Sequence, residues 1–476
     1  MKVLKFGGTS VGSSQNIKKI IEIISSNHNE TQVVVVSAFA KVTNLLLESA
    51  QLASIKKSAY ISVIEGIKSI HFNIILELFS GEEKEELDSY VNQKLKDLSD
   101  VLHGVSLIRE LSAKSEATIV SYGEQLSSYI INKALLANGI SSVRVDTRTL
   151  IKTNNNYTSA TVNFEVSNQN IQNYFKANKT QVSVLPGFIA TGESGETTVL
   201  GRGGSDYTAA IFAAALEVEI LEIWTDVSGM YTANPKLVKQ ATPIEQISYE
   251  EAMELSHFGA KVIYPPTIHP VLRKEIPIHI KNTLKPDDKG TLITKHTSES
   301  DTKPVKGISH IDHVTLITLE GSGMVGIPGF SKRLFETLAS EKTNVKLITQ
   351  ASSEHSICIG IDDSNASKAK IAIDSAFEFE ILKNRIKPLI IENNLSIIAI
   401  VGDQMKSHQG ISGRMFGTLG KNNVNIRAIA QGASEKNISA VIAAKDVKKA
   451  LNTLHETFFK DNNKQLNLYI TGVGNV

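Results

Sequence analysis

Three short glycine-bearing stretches hold the residue types that phosphate and carboxylate chemistry needs. Lys5-Phe6-Gly7-Gly8-Thr9-Ser10 follows an apolar run and opens onto a helical pattern. Glycines let backbone approach a phosphate, free N–H groups at a helix start attract anions, and Lys5 adds a point charge. Gly201-Arg202-Gly203-Gly204-Ser205-Asp206 sits at a second such junction. Arg202 can grip a carboxylate there through two parallel hydrogen bonds. Thr225-Asp226-Val227-Ser228-Gly229-Met230-Tyr231 follows a third apolar run. Each stretch alone is an ordinary turn. Three strand-end loops of one parallel sheet, however, converge on its carboxyl edge, where α/β sheets bind ligands.

Competing motifs fail on their own terms. No Gly-x-x-x-x-Gly-Lys-Ser/Thr stretch occurs, so a P-loop is excluded, and protein-kinase signatures are missing. Gly321-Ser-Gly323-Met-Val-Gly326 has dinucleotide-fingerprint spacing, but Gln350 stands where the ribose-binding acid belongs. It reads as a tight strand-to-helix turn. His310-Ile-Asp-His313 offers two histidines without a clustered third ligand. That is a solvated strand edge, and no metal site is expected.

These loops need a scaffold, and the apolar pattern describes one. Residues 33–36, 182–185 and 220–224 are continuous apolar runs, as parallel strands covered on both faces require. Residues 16–25 and 207–216 carry helical spacing, and 45–117 hold several helical patterns with few strand signals. Residues 285–305 are polar and punctuated by Pro and Gly, the composition of a domain boundary. Beyond them the chain repeats. Ile348-Thr-Gln350-Ala-Ser-Ser353-Glu354 matches Ile429-Ala-Gln431-Gly-Ala-Ser434-Glu435, an offset of 431 − 350 = 81 residues. The same offset pairs Arg333 with Arg414, Phe335 with Phe416, Leu338 with Leu419 and Asn344 with Asn425. Each unit reads strand, Gly-containing loop, helix, strand, strand, helix, strand: a ferredoxin-like βαββαβ module.

Composition narrows the class. The 476 residues include 50 Lys plus Arg against 49 Asp plus Glu, a balance with no footprint for nucleic acid or an anionic membrane. Hydrophobic residues at 41% and charged residues at 21% are globular values. A single cysteine, Cys358, excludes disulfides and cysteine-held metal clusters. The longest apolar runs, such as 209–216, are far shorter than a membrane span, and the N-terminus does not read as a signal peptide. The expectation is a soluble, multi-domain protein of a reducing compartment.

Taken in order, the motifs carry a resemblance. Lys-Phe-Gly-Gly-Thr-Ser at 5–10, Ser37-Ala38 with Thr43-Asn44, Gly123-Glu124 and Gly-Arg-Gly-Gly-Ser-Asp at 201–206 resemble those of aspartate kinases. Trp224-Thr-Asp-Val-Ser-Gly-Met-Tyr231 and Phe258-Gly-Ala-Lys261-Val continue the pattern, and the repeats resemble that family's tandem ACT regulatory modules. The wording is closest to the kinase half of bifunctional aspartokinase–homoserine dehydrogenase. The resemblance implies a cytoplasmic α/β protein: an amino-acid-kinase αβα sandwich at 1–290 with a mainly parallel sheet, then ACT modules at 305–390 and 391–465. It implies phosphorylation of the L-aspartate β-carboxylate by ATP with Mg²⁺. Such a carboxylate, with a pKa near 3.9, is ionised at neutral pH, so the nucleophile needs no general base. Catalysis then rests on positioning and charge neutralisation.

The resemblance also distributes roles. Lys5 and Asp206 are the catalytic pair. Ser37, Thr43, Glu124, Arg202, Gly203 and Ser205 hold aspartate, Glu124 against its ammonium and Arg202 against its α-carboxylate. Lys5, Gly7, Gly8, Thr9, Ser10, Thr225, Asp226, Tyr231, Lys236 and Lys261 contact nucleotide. Gln350 and Gln431 contact an amino-acid effector, threonine ahead of lysine, in a homodimer or higher oligomer joined through ACT modules. Plainer readings stand beside these: Thr43 and Asp206 as helix N-caps, Lys261 facing solvent, Tyr231 as packing. One departure concerns nucleotide binding. The family continues Tyr-Thr-x-Asp-Pro-Arg, whereas this chain has Tyr231-Thr-Ala-Asn234-Pro-Lys236, which keeps the charge and loses the bidentate geometry. An amino-acid-sensing protein with an inactive kinase fold, or a kinase for another substrate, are the alternatives. Finally, 466–470 reads as an apolar strand running into Gly472-Val-Gly474-Asn-Val476. The resemblance places the start of homoserine dehydrogenase there, so a longer bifunctional protein is expected.

Overall fold

The computed structural model describes all residues except 27–29, 260–261, 298–302, 351–354, 433–435 and 461–476. Two compact units emerge. Met1–Met230 with Pro243–Thr302 form the first, and Tyr231–Thr242 with the chain from Lys303 onward form the second.

The strands of the first unit are β1 (Lys2–Phe6), β2 (Gln32–Val36), β3 (Ser142–Arg144), β4 (Lys152–Thr153), β5 (Val182–Pro186), β6 (Ile189–Gly192), β7 (Thr197–Val199), β8 (Ile220–Thr225), β9 (Gln246–Ser248), β10 (Ile278–Asn282) and β11 (Thr291–Thr294). Its helices are α1 (Ser14–Ser25), α2 (Val42–Ser54), α3 (Tyr60–Leu78), α4 (Gly81–Ile108), α5 (Ala113–Ala137), α6 (Thr147–Leu150), α7 (Phe164–Ala177), α8 (Gly204–Leu216), α9 (Tyr249–His257) and α10 (His269–Leu272). Among the described residues one sheet runs β3-β5-β2-β1-β8-β10-β11-β9 and a smaller one β4-β6-β7. Every residue of β2 and β5 is buried, as the unbroken apolar runs demand of central parallel strands. The large sheet is parallel except where β10 meets β11.

The helical excursion becomes α2 to α5. Along α4 the buried residues Leu87, Val91, Leu95, Leu98, Leu102 and Val105 follow three- and four-residue steps, so one stripe faces the core. The polar stretch 285–305 differs from expectation, because it contains β11. Gly290, at φ +73°, makes the turn into that strand, and a side chain there would collide with the Ile280 carbonyl. Four residues, Thr-Leu-Ile-Thr, are too short a run to stand out in a polar segment.

The second unit holds β12 (Gly307–Glu320), β13 (Val345–Gln350), β14 (Ser356–Asp362), β15 (Ile390–Val401), β16 (Ile426–Gln431), β17 (Asn437–Ala443), and the helices α11 (Phe330–Ser340), α12 (Ala366–Ala376), α13 (Glu378–Leu382), α14 (Ile411–Lys421) and α15 (Val447–Phe459). The repeat suggests two modules in tandem; the register makes them nested. One sheet runs β13-β14-β12-β15-β17-β16, and the long β12 serves both modules. Its residues Val314–Glu320 pair with β14, whereas Gly307–Ile311 pair with Val401–Ile397 of β15. The second module thus takes its fourth strand from the chain that precedes the first. His313 and Asn394, one repeat apart, mark the switch with φ of +57° and +61°. His310 faces Asp312 at 3.3 Å and His313 faces Asp363 at 3.9 Å. Among the described residues no group of three His, Cys, Asp or Glu could hold a metal.

Candidate active site

Parallel neighbours β2, β1, β8 and β10 end at one edge, and the first and third glycine loops and the loop after β2 leave from there. After β1, Gly7 N–H donates to the Trp224 carbonyl at 3.1 Å, and Val11 N–H returns to the Gly7 carbonyl at 3.1 Å. Ser10 Oγ donates to the Trp224 carbonyl at 3.2 Å and accepts from Thr283 Oγ1 at 2.8 Å. Thr283 N–H in turn donates to the Thr225 carbonyl at 2.8 Å. The first and third glycine loops are therefore stitched together through Thr283, a residue without a motif of its own.

The central feature is an ion pair. Lys5 Nζ lies 2.6 Å from Asp206 Oδ1, with both side chains largely buried. Lys5 comes from β1 and Asp206 from the first turn of α8. Asp206 is no N-cap; Gly203, at φ +71°, holds that position. The loop 201–206 also differs from expectation in origin, because it follows β7 of the small sheet rather than a strand of the large one. Packing delivers it to the same place. A Cβ on Gly187, just past β5, would lie 2.8 Å from Ser205 Cβ, and one on Gly203 would lie 2.8 Å from Tyr264 Cβ. Glycine at both positions lets the loop seat closely. Arg202 is exposed, its guanidinium 5.8 Å from the Tyr264 ring centroid. Tyr264 is a further residue the motifs did not flag.

The second wall is the loop from β2 to α2. Ser37 N–H donates to the Phe6 carbonyl at 3.2 Å, and the Ser37 carbonyl accepts from Ser127 Oγ at 2.8 Å. Thr43 lies inside the first turn of α2, whose N-cap is Lys41. Glycines frame this loop: Cβ atoms on Gly8, Gly12 and Gly123 would meet Ala38 O at 3.2 Å, Ala40 Cβ at 2.9 Å and Ala38 Cβ at 2.7 Å. Beside Gly123, Glu124 is 3% exposed. Burial pushes its carboxyl up to about 8, against the Ala38 N–H that favours the ionised form. Its Oε2 has no hydrogen-bond partner. A buried carboxyl with a free oxygen is poised for a cation.

Around the third loop, Thr225 Oγ1 donates to Asp226 at 3.2 Å, and Ser228 bonds both Asp288 and the Asn282 amide. Tyr231 and Lys236 fall in the segment that packs with the second unit, where Lys236 N–H donates to Asn234 Oδ1 at 3.0 Å. Lys261 lies outside the described residues, as does the 466–476 tail. In the second unit, Gln350 ends β13 and lines a cavity of about 360 Å³ with Ser331 and Phe330. Gln431 ends β16 and accepts from Ser412 Oγ at 3.1 Å.

The amino acid kinase family model matches residues 1–282, and an ACT domain model matches 317–377 and 398–458, again 81 apart. The chain belongs to the amino acid kinase family. It is 36% identical, over its whole length, to the bifunctional aspartokinase/homoserine dehydrogenase of Haemophilus influenzae, of which it covers 58%. Against bifunctional aspartokinase/homoserine dehydrogenase 1 of Arabidopsis thaliana it is 34% identical over 96% of its length, covering 51% of that protein. The chain thus spans little more than half the length of these relatives. Among solved structures, E. coli aspartokinase III in complex with aspartate and ADP matches 97% of this chain and 100% of its own, at 29% identity and a TM-score of 0.81. The same enzyme in complex with lysine and aspartate matches with a TM-score of 0.78. The family's fold, kinase unit and paired ACT modules are therefore those of this chain. Among its described residues no helix is long and apolar enough to cross a membrane.

Proposed function

We propose that this chain phosphorylates the β-carboxylate of L-aspartate with ATP, giving 4-phospho-L-aspartate, the first step toward threonine, lysine, methionine and isoleucine. The carrying observation is the Lys5–Asp206 pair beside the Gly7–Gly8 turn, flanked by a buried, cation-seeking Glu124 and an exposed Arg202. A β-carboxylate oxygen attacks the γ-phosphorus, the bond to the β,γ-bridging oxygen breaks, and ADP leaves with its electron pair. No proton moves. Lys5 and the Gly8 amide stabilise the transferring group, Gly7, whose own N–H is held by the Trp224 carbonyl, shapes the turn, and Asp206 aims Lys5. Glu124 binds the substrate ammonium, and Arg202 its α-carboxylate, with Ser37, Thr43, Gly203 and Ser205 shaping the pocket. Thr9, Ser10, Thr225 and Asp226 serve the nucleotide. For Tyr231, Lys236 and Lys261 the motif resemblance alone speaks. Mg²⁺ enters this reading with ATP, on its phosphates, as part of the substrate.

ADP release measured against a panel of aspartate, glutamate and other amino acids tests this reading. Turnover with aspartate alone is expected, and Arg202→Ala should raise the aspartate KM roughly 30-fold, with little change for ATP. That is the low end for a lost carboxylate grip, because the guanidinium starts exposed. Turnover with another substrate, or none, overturns it.

The second unit supports feedback control. Ser331 and Gln350 line the cavity of the first module, whereas their counterparts 81 residues on, Ser412 and Gln431, bond each other. A threonine hydroxyl would find the Ser331 hydroxyl and the Gln350 amide in that cavity, which supports threonine as the effector. Ile348 and Ile429, exposed on the edge strands β13 and β16, suit self-association into a homo-oligomer. Threonine is expected to weaken aspartate saturation by 5–150-fold, a coupling of about 1–3 kcal/mol, and Gln350→Ala to abolish the effect. If neither threonine nor lysine shifts the saturation curve, the sensing role fails.

A further inference from the structure

Phe39 is the buried centre of the loop from β2 to α2, with 1% of its surface exposed. Its ring lies 5.1 Å, centroid to centroid, from the imidazole of His71, tilted by 38°. His71 belongs to α3, in the helical excursion, and is wholly buried. Its Nδ1 is 2.8 Å from the Ile67 carbonyl. A carbonyl only accepts, so Nδ1 carries the hydrogen and Nε2 is a bare acceptor. That Nε2 is buried and has no partner. Burial also keeps the ring neutral, lowering its pKa to about 4.

An unpartnered buried acceptor costs stability, and a leucine or phenylalanine would fill the same apolar space without it. Core packing alone therefore does not account for an imidazole here. The other side of Phe39 supplies a reason. Ala38, its neighbour, donates N–H to Glu124 and packs on Gly123. The Phe39 carbonyl accepts from Val42 N–H at 3.0 Å, which starts α2 and so places Thr43. The same helix α3 reaches α1, where Ser14 Oγ donates to Glu77.

We propose that His71 is a positioning residue for aspartate: its ring holds Phe39, and through Phe39 the 37–43 loop that presents Glu124 and Thr43 to the substrate. The proposal rests on the aspartate reading of that site. It gives the helical excursion a task in recognition, that of bracing a substrate loop.

Separate aspartate and ATP saturation curves on the full chain test it, for His71→Ala, Phe39→Ala, the double variant and His71→Phe. His71→Ala should raise the aspartate KM roughly tenfold, with kcat and ATP KM within about twofold. The double variant should be no worse than Phe39→Ala, since both remove one contact. His71→Phe keeps a ring of similar volume without the Ile67 bond that fixes its orientation, so it should fold and give an aspartate KM between those of His71→Ala and the unsubstituted chain. A lowered Tm with unchanged aspartate KM in both alanine variants overturns the proposal, as does an equal rise in both KM values. If His71→Ala does not fold, His71→Phe and a volume-keeping Phe39→Leu decide: an unchanged aspartate KM in Phe39→Leu overturns it. No aspartate turnover in the unsubstituted chain instead overturns the substrate reading, and this proposal with it.

Discussion

Replacing Lys5 by alanine is expected to lower kcat roughly 10²–10³-fold, about 2.7–4 kcal/mol, the scale of one lost preorganised donor at a transition state. The expectation follows from where its charge sits. Nζ is 2.6 Å from Asp206 Oδ1 and largely shielded from water, next to the glycine turn where a phosphoryl group would lie. A Cβ added to Gly7 would come 3.4 Å from that Nζ, so the ammonium and the turn's backbone share one small space. Ground-state aspartate is held elsewhere, by Glu124 and Arg202, so its KM should move less than about threefold. Asp206→Ala should cost nearly as much, because an unpaired Lys5 loses its aim. The double variant should then be little worse than either single one, as expected of groups acting as a unit. Steady-state rates at saturating aspartate and ATP decide it. Small and equal effects on kcat and KM would show that the pair only stabilises the fold.

How much of this was readable beforehand depends on the kind of physics involved. Lys5, Glu124, Arg202 and Asp206 stand out as candidates because each lies beside glycines with backbone duties and several such stretches occur together, although each stretch alone is an ordinary turn. The parallel strands are legible because unbroken apolar runs mean burial on both faces. Hydrogen-bond register is another matter. Nothing in the repeat tells that Gly307–Ile311 would complete the second module, since antiparallel partners are chosen over the whole unit. The origin of the 201–206 loop was hidden for a similar reason: β7 is a three-residue strand in a three-stranded sheet, below any periodicity signal. Thr283 and Tyr264 carry ordinary side chains in ordinary stretches, and only tertiary contact reveals them. The stretch Tyr231–Thr242 reads as a continuation of the nucleotide loop, yet it packs in the second unit, where Ala233 and Val238 join a core with Ile308 and Met405. Its apolar residues are too few for sequence to say which core they enter.

Aspartate affinity is expected to depend steeply on pH through Glu124. Burial, opposed by the Ala38 N–H, raises its carboxyl to about 8 from an ordinary 4.5, so in the empty site it is protonated at neutral pH. A substrate ammonium at Oε2 favours the ionised form, and binding must therefore expel the proton. The sign follows directly. Below about pH 8 each unit of acidification costs about tenfold in apparent affinity, giving a KM roughly 100-fold higher at pH 6 than on the alkaline plateau. Folding stability runs the other way. A raised carboxyl pKa stabilises the empty protein fully below 4.5, and that contribution is lost as pH rises through about 8. The thermal shift given by saturating aspartate should accordingly grow with pH across this window. Calorimetric titration at pH 7 in two buffers of different ionisation enthalpy should count ~0.9 protons released per aspartate bound. Glu124→Gln should bind aspartate weakly, release none and show a flat profile, because the amide keeps the shape and cannot ionise. Binding to the unsubstituted chain at pH 7 without proton release would mean that Glu124 does not ionise on meeting the substrate, and its assignment to the ammonium would fall.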